Sequence, residues 1–301
     1  MDFVVQVSKL PAPGETVLGS GFQMIPGGKG GNQACAAGRI GGGSLQAKMI
    51  GRVGYDLFAD HLKASLAADG VDVSGVHATR SHPTGVALIW VDNVGQNSIV
   101  VASGANHAIA PRDVESFTAA FHGASTALFQ LETPLAVVEA ALQLARELEV
   151  RTILDPAPAQ PLSRSLLHSV DILTPNETEA CLLLGRDPVR IGTSDAPEIA
   201  TALRSLGTRA VILKLGDQGC YYQDEHNEWS VPAFPVQAID TTAAGDTFNG
   251  ALAVALAESQ PIELALRFAN AASAISVTRR GAQLSVPKRG EVDAFLKSCA
   301  S

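Results

Sequence analysis

Short apolar runs alternate with helical patterns along most of the chain, and this alternation restricts the possible folds more than any other feature. From about Leu45 onward, the clearest unit is an apolar run at Thr126–Leu131, an amphipathic pattern at Leu135–Leu148 and a second run at Thr152–Leu154. Strands separated by helices in this way form βαβ units, whose parallel strands are buried on both faces. The sequence therefore predicts an α/β fold with a mostly parallel sheet. The pattern continues with a strand at Ala210–Leu215 and Ala-rich helices at about Ala244–Glu258 and Ile262–Thr278.

Two segments depart from this pattern, because each contains two strand patterns joined by a turn and no helix that would cover the second face. Turn residues of this kind connect paired strands. We expect a small β layer, from about residues 3–25 and 84–103, that stands apart from the main sheet and covers a site as a lid. The paired patterns are Phe3–Val7 with Val17–Ile25, around Pro11-Ala12-Pro13-Gly14, and Val86–Val91 with Ser98–Ala102, around Asp92-Asn93-Val94-Gly95.

The composition limits the class of protein and its partners. The 301 residues are 46% hydrophobic and contain no Gly-, Ser- or Pro-rich linker, which suits a single domain over residues 1–301. A formal charge of −8 argues against nucleic acid or an anionic membrane as the main partner. No apolar run is long enough to cross a bilayer, and the N-terminus lacks the basic region of a secretion signal.

The spacing of the cysteines and histidines does not indicate disulfides, nucleophilic thiols or a zinc site. Cys35, Cys181, Cys220 and Cys299 lie far apart in sequence, which indicates reduced thiols and a cytoplasmic protein. Two of them, Cys35 and Cys181, fall on apolar helix faces and are predicted to fill the core rather than to act as nucleophiles. No pair of histidines has the spacing of zinc ligands, so the sequence argues against a zinc enzyme.

The densest chemical motif is Asp240–Gly250, in which small residues lead directly into an apolar helical pattern. The amides of residues 243 to 246 are expected at a helix N-terminus, where free N–H groups and the helix dipole bind anions such as phosphate. Asp246 would also suit a simple helix cap. A cap does not require a second aspartate, Asp240, before five small or hydroxylated residues, so the motif favours a functional site.

A second motif, Pro26–Asn32, is predicted to be a Gly-rich loop before a helix at Gln33–Ile40. Glycines let the backbone approach a ligand closely, and Lys29 and Asn32 add donors for hydroxyl or phosphate oxygens. The spacing matches neither a P-loop nor a dinucleotide-binding loop. Taken alone, the motif is equally consistent with a structural turn.

Weaker motifs lie at predicted strand ends and helix starts. Asn176 and Glu179 fit a capping box, and they are also placed to order metal-bound water near phosphates. Leu215–Gly219 follows a strand and fits either a hairpin turn or a backbone wall for a nucleotide. Glu132 and Asp155 follow predicted parallel strands, at the edge where open α/β sheets bind ligands, although carboxylates there also cap helices.

Taken together, these motifs make the sequence resemble the ribokinase branch of the sugar-kinase superfamily over essentially its whole length. The resemblance implies a three-layer α/β/α fold with a small β-sheet lid. It also implies transfer of the γ-phosphate of ATP to the 5-hydroxyl of D-ribose, with Mg²⁺ required and K⁺ as an activator. The matching motifs, in the order and spacing of that branch, are Asp2 with Leu10–Thr16, Gly27–Asn32, Thr84–Ile89, Gln130–Pro134, Asn176–Glu179, Asp240–Gly250 and Arg279–Gln283.

The resemblance also implies a role for individual residues. Asp246 is expected to be the catalytic base, and the amides of Ala243, Ala244 and Gly245 the anion hole. The sugar is expected to contact Asp2, Gly28, Lys29, Asn32, Glu132 and Asp246. The nucleotide is expected to contact Asn176, Lys214, Leu215, Gly216, Asp217, Gln218, Gly219, Gly245 and Asn270. Glu179 is expected to order water around Mg²⁺, and K⁺ to lie between loops that contain Asp240, Thr242, Ser276, Arg279, Gly281 and Ser285.

Two positions depart from the pattern of that branch. Gly31 stands where its members usually have alanine, which loosens the start of a helix. Members also carry a parallel strand that ends in Gly-Ser-x-Asn-x-Asp, and here Met1 occupies the position before the final aspartate. The strand and its sugar-binding asparagine are therefore expected to be absent, with a less stable fold and weaker ribose binding as the result.

Other functions stay open from the sequence alone. The chain could be a kinase for another sugar or a nucleoside, or a catalytically silent sugar-binding protein with the same fold. Asp246 beside an intact anion-hole sequence argues against a silent protein. Apolar strand residues such as Val86, Leu88 and Trp90 leave one face of the β layer uncovered, which predicts a homodimer through this layer.

Overall fold

A computed structural model describes residues 1–93 and 96–299, so Asp92 and Asn93 of the second predicted turn are described and Val94 and Gly95 are not. The strands are β1 Asp2–Gln6, β2 Ser20–Ile25, β3 Ala47–Gly54, β4 Val71–Thr79, β5 Val86–Val91, β6 Asn97–Ala102, β7 Thr126–Phe129, β8 Arg151–Leu154, β9 Ile172–Leu173, β10 Ala210–Lys214, β11 Cys220–Gln223 and β12 Glu228–Val231. The α-helices are α1 Lys29–Gly41, α2 Leu57–Ala68, α3 Thr118–Phe121, α4 Leu135–Glu147, α5 Arg164–Leu167, α6 Glu177–Leu183, α7 Ala196–Arg204, α8 Ala244–Ala257, α9 Ile262–Val277, α10 Ala282–Ser285 and α11 Arg289–Ser298.

A six-stranded sheet in the order β12-β11-β10-β9-β8-β7 forms the middle layer. Strands β7 to β10 are parallel, and β11 and β12 extend the sheet as an antiparallel hairpin. Successive strand residues point to opposite faces, so Ile153 packs with α1, α8 and α9 while Leu154 packs with α4, α6 and α7. The predicted α/β/α fold is confirmed, and the predicted boundaries of β8, β10, α4, α8 and α9 agree to about one or two residues.

The parallel strands are divided between two sheets, which the sequence did not predict. Strands β3 and β4 form a parallel pair of their own. Among the described residues, no strand is hydrogen-bonded to the outer edge of β7 or to the free edge of β3. Ile50 of β3 nevertheless packs against the same apolar cluster as Ala127 and Phe129 of β7, so residues of both sheets contribute to one cluster.

The two predicted strand pairs join into one four-stranded sheet, in the order β2-β1-β5-β6, with β1 parallel to β5. We call this sheet the lid. Strand β2 begins at Ser20 rather than Val17, because the chain from Val7 to Gly19 forms a loop instead of a tight turn. The strand register places Met24, Phe3, Leu88 and Val100 side by side across the lid, on the face opposite Asp2.

The Gly-rich segment was predicted as a loop, but helix α1 begins at Lys29 and includes both Gly30 and Gly31. The reason is packing rather than chain flexibility. A Cβ on Gly30 would lie 3.1 Å from Oε1 of Gln130, and a Cβ on Gly31 would lie 3.2 Å from Nε2 of Gln283. The glycines therefore let the first turn of α1 approach two other segments closely. Gly28 precedes the helix with a φ of 89°, which favours glycine.

Two expectations from the sequence, on membrane-spanning segments and on the cysteines, can be compared with the structure. In the part of the chain that the structure describes, no helix is long and apolar enough to cross a membrane. Cys35 and Cys181 are buried in the apolar clusters, as predicted for residues that fill the core.

Candidate active site

The functional residues collect at one edge of the six-stranded sheet. Glu132 follows β7, Asp155 follows β8, Asn176 follows β9, and Lys214 ends β10. Carboxyl ends of adjacent parallel strands meet at the same edge, where open α/β sheets bind ligands. The N-terminus of α8 reaches the same edge, because Asp246 in its first turn shares Gln33 as a hydrogen-bond partner with Asp155.

The start of α8 provides free backbone donors. Ala243 caps the helix in the left-handed region, with a φ of 58°, and the amide of Ala244 donates to the carbonyl of Thr241 at 3.2 Å. Within the described part of the chain, the amides of Ala243, Gly245 and Asp246 donate no hydrogen bond. These amides and the helix dipole form an anion-binding position. Ala244, which the sequence placed in the anion hole, uses its amide inside the turn instead.

Asp246 is a buried carboxylate held by two side-chain amides. Its side chain accepts a hydrogen bond from Nδ2 of Asn32 at 2.9 Å and another from Nε2 of Gln33 at 3.0 Å. Burial and the neighbouring charge of Asp155 raise its pKa, while Lys29 and the two amides act in the opposite direction. A fixed carboxylate whose pKa is raised toward neutrality is suited to accept a proton.

Lys29 sits at the centre of the acidic groups. Its backbone amide donates to Oε2 of Glu132 at 2.9 Å, which fixes that carboxylate at the start of α1. Burial acts to lower the pKa of the Lys29 ammonium, but the charges of Asp246, Asp155 and Glu132 outweigh it and raise the pKa. Lys29 is therefore charged and compensates for several carboxylates that share a small volume.

Asp2, Asn32 and Glu132 are placed to bind a ligand with several hydroxyl groups. The Asp2 carboxylate lies against Gly27, where a Cβ would overlap one of its oxygens. The Oδ1 atom of Asn32 is buried and has no hydrogen-bond partner within the described residues. Buried polar atoms are normally paired, so this acceptor is available for a ligand hydroxyl. Burial is the main cause of the raised pKa of both Asp2 and Glu132.

Asn176 and Glu179 form the predicted capping box at the start of α6. The amide of Glu179 donates to Oδ1 of Asn176, and the amide of Asn176 donates to Oε2 of Glu179, both at 2.8 Å. Burial raises the pKa of Glu179. Among the residues described, no three His, Cys, Asp or Glu side chains cluster as metal ligands. Mg²⁺ commonly keeps several waters and takes only one or two carboxylates, which Glu179 could supply, and a role for Glu179 near such an ion stays a prediction.

The segment Leu215–Gly219 is the hairpin turn between β10 and β11, closed by a hydrogen bond from the Leu215 amide to the Gly219 carbonyl at 2.8 Å. The side chain of Asp217 is exposed and pairs with Arg190 at 2.6 Å. Asn270 donates to the carbonyls of Val231 and Pro232, so its amide group holds the end of β12. The hairpin interpretation is confirmed, and contact with a nucleotide stays a prediction for these residues.

Asp240 joins the two loops that were predicted to hold a monovalent cation. One of its oxygens accepts from the amide of Thr242 and the other from the amide of Gly281, both at 2.9 Å. Burial favours its neutral form, but hydrogen bonds from Thr242 and Gly281 hold its pKa below the usual value. An ionised carboxylate that joins two loops is a candidate ligand for a cation, and this role stays a prediction. Ser276 and Ser285 are buried and the Arg279 side chain pairs with Glu291. Because several members of the loop pair were expected to bind through backbone carbonyls, their role stays a prediction.

The model of the pfkB family of carbohydrate kinases matches residues 1–289. This chain belongs to that family. The kinase is 41% identical to a ribokinase of Haemophilus influenzae over 296 residues, which cover 98% of this chain and 95% of that protein. It is 33% identical to a deoxyribokinase of Salmonella typhimurium over 300 residues, with 98% and 95% covered. A solved structure of Arabidopsis thaliana ribokinase, complexed with ribose and ATP, superposes with a TM-score of 0.89 at 32% identity, and 98% and 95% of the chains are covered.

The structure brings most of the kinase's predicted sugar and catalytic residues together. It also places three further residues among them, Gln33, Gln130 and Asp155. Gln33 links Asp155 to Asp246, and Gln130 donates to Oε1 of Gln33 at 2.5 Å. The sequence placed Asp155 at a strand end but assigned it no role. Gln33 could have been noticed as a polar residue inside the apolar helical pattern of α1. Nothing in the sequence connects it to Asp155, which lies more than a hundred positions away.

Proposed function

We propose that this kinase transfers the γ-phosphate of ATP to the 5-hydroxyl of D-ribose. The observation that carries the proposal is the position of the buried Asp246 carboxylate in the first turn of α8, beside the free amides of that turn. A proton acceptor and an anion-binding position are thus built into one rigid element. The ribokinase relatives and the ribose-bound neighbouring structure support ribose as the acceptor.

The geometry suits each requirement of the reaction. Asp246, oriented by Asn32 and Gln33, accepts the proton of the sugar hydroxyl. The amides at the start of α8 stabilise charge on the phosphoryl group without rearrangement. ATP would supply the phosphoryl group and leave as ADP, and Mg²⁺, for which Glu179 is the candidate carboxylate, would neutralise part of the phosphate charge. Asp2, Asn32 and Glu132 hold the sugar so that its hydroxyl meets Asp246.

The acceptor is tested with a panel of purified sugars and nucleosides under saturating ATP and Mg²⁺. D-Ribose should give the highest kcat/KM, followed by 2-deoxy-D-ribose, which the deoxyribokinase relatives make the second candidate. A higher kcat/KM for a hexose or a nucleoside would overturn the proposal. The matched control is 5-deoxy-D-ribose, which lacks the 5-hydroxyl and should stimulate no ATP consumption.

Potassium is proposed to activate the enzyme through the loop pair joined by Asp240. A cation bound beside its ionised carboxylate would order the neighbouring amides at the start of α8. Activity should rise with K⁺ and much less with Na⁺, and Asp240→Asn should remove the difference. Initial rates are measured at constant ionic strength with choline as the replacement cation. Equal rates in K⁺ and choline would contradict a cation site.

A homodimer is proposed to form through the lid. Met24, Leu88 and Val100 are 52%, 42% and 54% exposed, and they form one apolar row across the sheet. Exposed apolar patches of this kind usually mark interfaces. Light scattering should report a dimer for the wild type and a monomer for Leu88→Asp. Leu264→Asp, at an exposed leucine of α9, is the matched control and should stay dimeric. A wild-type monomer at micromolar concentration would rule the dimer out.

The location of the enzyme is proposed to be the cytoplasm. All four cysteines are free, and three of them are buried without a partner thiol. Free thiols are typical of proteins that function in a reducing compartment.

A further inference from the structure

The ammonium of Lys214 lies at the N-terminus of α8. Its Nζ atom is 3.3 Å from the position that a Cβ on Gly245 would occupy, and its side chain is only 12% exposed. The same first turn carries the unpaired amides of Gly245 and Asp246. A buried cation and free N–H groups therefore meet at one place, which is the arrangement that binds phosphate. The family resemblance places Lys214 among the nucleotide contacts without assigning it to a particular part of the nucleotide.

Asp155 holds this ammonium in place. Its side chain is almost fully buried, and its Oδ1 atom accepts from Nζ of Lys214 at 2.8 Å. Its backbone amide donates to the carbonyl of Phe129 at 2.9 Å, which ties the end of β8 to the end of β7. The carboxylate thus has a fixed position, and the long lysine side chain has few other conformations open to it.

The second oxygen of Asp155 connects the lysine to the catalytic base. Oδ2 accepts from Nε2 of Gln33 at 2.9 Å, and the same nitrogen donates to Asp246 at 3.0 Å. Nε2 of Gln130 donates to Oε1 of Gln33, so the orientation of the Gln33 amide is fixed. Asp155 therefore lies between the cation on one side and the base on the other.

A purely structural role explains this carboxylate poorly. Burial and the charge of Asp155 raise the pKa of Asp246, so the two carboxylates repel each other. A neutral side chain at position 155 would avoid that repulsion, but it would leave the Lys214 ammonium without its carboxylate partner. Functional sites tolerate such arrangements because a charge is needed there for another purpose.

We propose that Asp155 is a positioning residue, which holds the Lys214 ammonium where it contacts the γ-phosphate of ATP and, through Gln33, orients Asp246. The proposal rests on the proposed function for the identity of the nucleotide. Lys214 recognises the terminal phosphate of a nucleoside triphosphate and not the diphosphate that remains after transfer. Asp155 acts only through Lys214 and Gln33.

The test compares nucleotide binding rather than turnover alone. The affinities for ADP and for an imido analogue of ATP that is not hydrolysed are measured by titration calorimetry at fixed Mg²⁺. Lys214→Met should weaken analogue binding about tenfold more than ADP binding, because a hydrogen bond between charged groups is lost. Asp155→Asn should cause a smaller loss of the same kind. The double variant should be no weaker than Lys214→Met, since Asp155 affects this affinity only through the lysine.

Two further variants keep the test decisive. Lys214→Arg retains the charge and should keep the preference for the analogue. Asp171→Asn is the matched control, because Asp171 also pairs with a cation, Arg209 at 3.0 Å, but at the opposite edge of the same sheet. It should leave the ratio of the two affinities unchanged.

Other outcomes would overturn the proposal. Parallel losses for ADP and the analogue would mean that the pair is structural, and additive losses in the double variant would mean that the two residues act independently. Wild-type ribose phosphorylation is measured alongside. If ribose is not phosphorylated while the analogue is preferred as expected, the proposed function fails and the role of Asp155 and Lys214 stands.

Discussion

Replacing Asp246 by asparagine should lower kcat for ribose by about 10²–10⁴-fold, the usual cost of losing a general base. Asparagine keeps the shape of the side chain and can still accept a hydrogen bond from Asn32 or Gln33 through its one carbonyl oxygen, but it cannot accept the proton. The measurement is the steady-state rate together with the affinity for ADP, which should change little because the amides of α8 remain. A kcat within about threefold of the wild type would show that Asp246 is not the base.

The stability of this variant separates loss of chemistry from loss of fold. Burial and the charge of Asp155 disfavour ionised Asp246 in the folded protein, so asparagine should melt at the same or a higher temperature. Asp224→Asn, at the turn after β11, is the control for a carboxylate outside the site. A large fall in the melting temperature of Asp246→Asn would mean that the carboxylate is needed for folding.

The pH dependence follows from the direction of the shift. Because the folded-state pKa of Asp246 is raised, the residue takes up a proton on acidification before an ordinary aspartate would. The wild-type kcat/KM should therefore fall as the pH drops through a value above the usual range for Asp, and this acid limb should be missing from Asp246→Asn. The profile of log kcat/KM against pH for both proteins tests this, because kcat/KM reports the titration of the free enzyme.

Replacing Glu132 by glutamine should raise the KM for ribose by about 10–100-fold with a smaller effect on kcat, because a hydrogen bond to a buried charge is lost. Glu132 is fixed by the amide of Lys29 at 2.9 Å, and in the proposed function it holds the sugar. An amide of the same size offers one acceptor and adds a donor where the sugar hydroxyls require acceptors.

The control is Glu228→Gln, which changes a carboxylate that accepts from Tyr221 in the β11–β12 hairpin. Its KM for ribose should match that of the wild type. If Glu132→Gln lowers kcat and leaves KM unchanged, Glu132 acts in the chemical step and does not hold the substrate.

Much of the fold follows from local patterns. The apolar runs that became β8 and β10, and the Ala-rich helices α8 and α9, were identifiable because their burial pattern is continuous in sequence. The start of α1 was not. Glycine disfavours helices, so Gly30 and Gly31 indicated a loop, whereas the structure uses their missing side chains to bring Gln130 and Gln283 close. Such contacts join segments that are distant in sequence, so the sequence of either segment alone does not indicate them.

The site was predictable to the extent that its residues lie in motifs. Asp246 stands in a short segment whose composition itself favours a functional site, whereas the expected roles of Asn32 and Glu132 came from the family resemblance, because their segments alone are equally consistent with structural roles. The bridge formed by Asp155 and Gln33 lies in no such motif, because its two halves are separated by 122 positions. The division of the parallel strands into two sheets was also beyond the sequence, since it depends on which edges pair and not on what each strand contains.

The central claim is that this enzyme places a phosphoryl group on the 5-hydroxyl of ribose. Phosphorus NMR of the product formed from ATP and D-ribose tests it most directly. The account predicts a phosphomonoester resonance split into a triplet by the two protons on carbon 5. A doublet, which a phosphate on carbon 1, 2 or 3 would give, or the absence of any new phosphomonoester would contradict it.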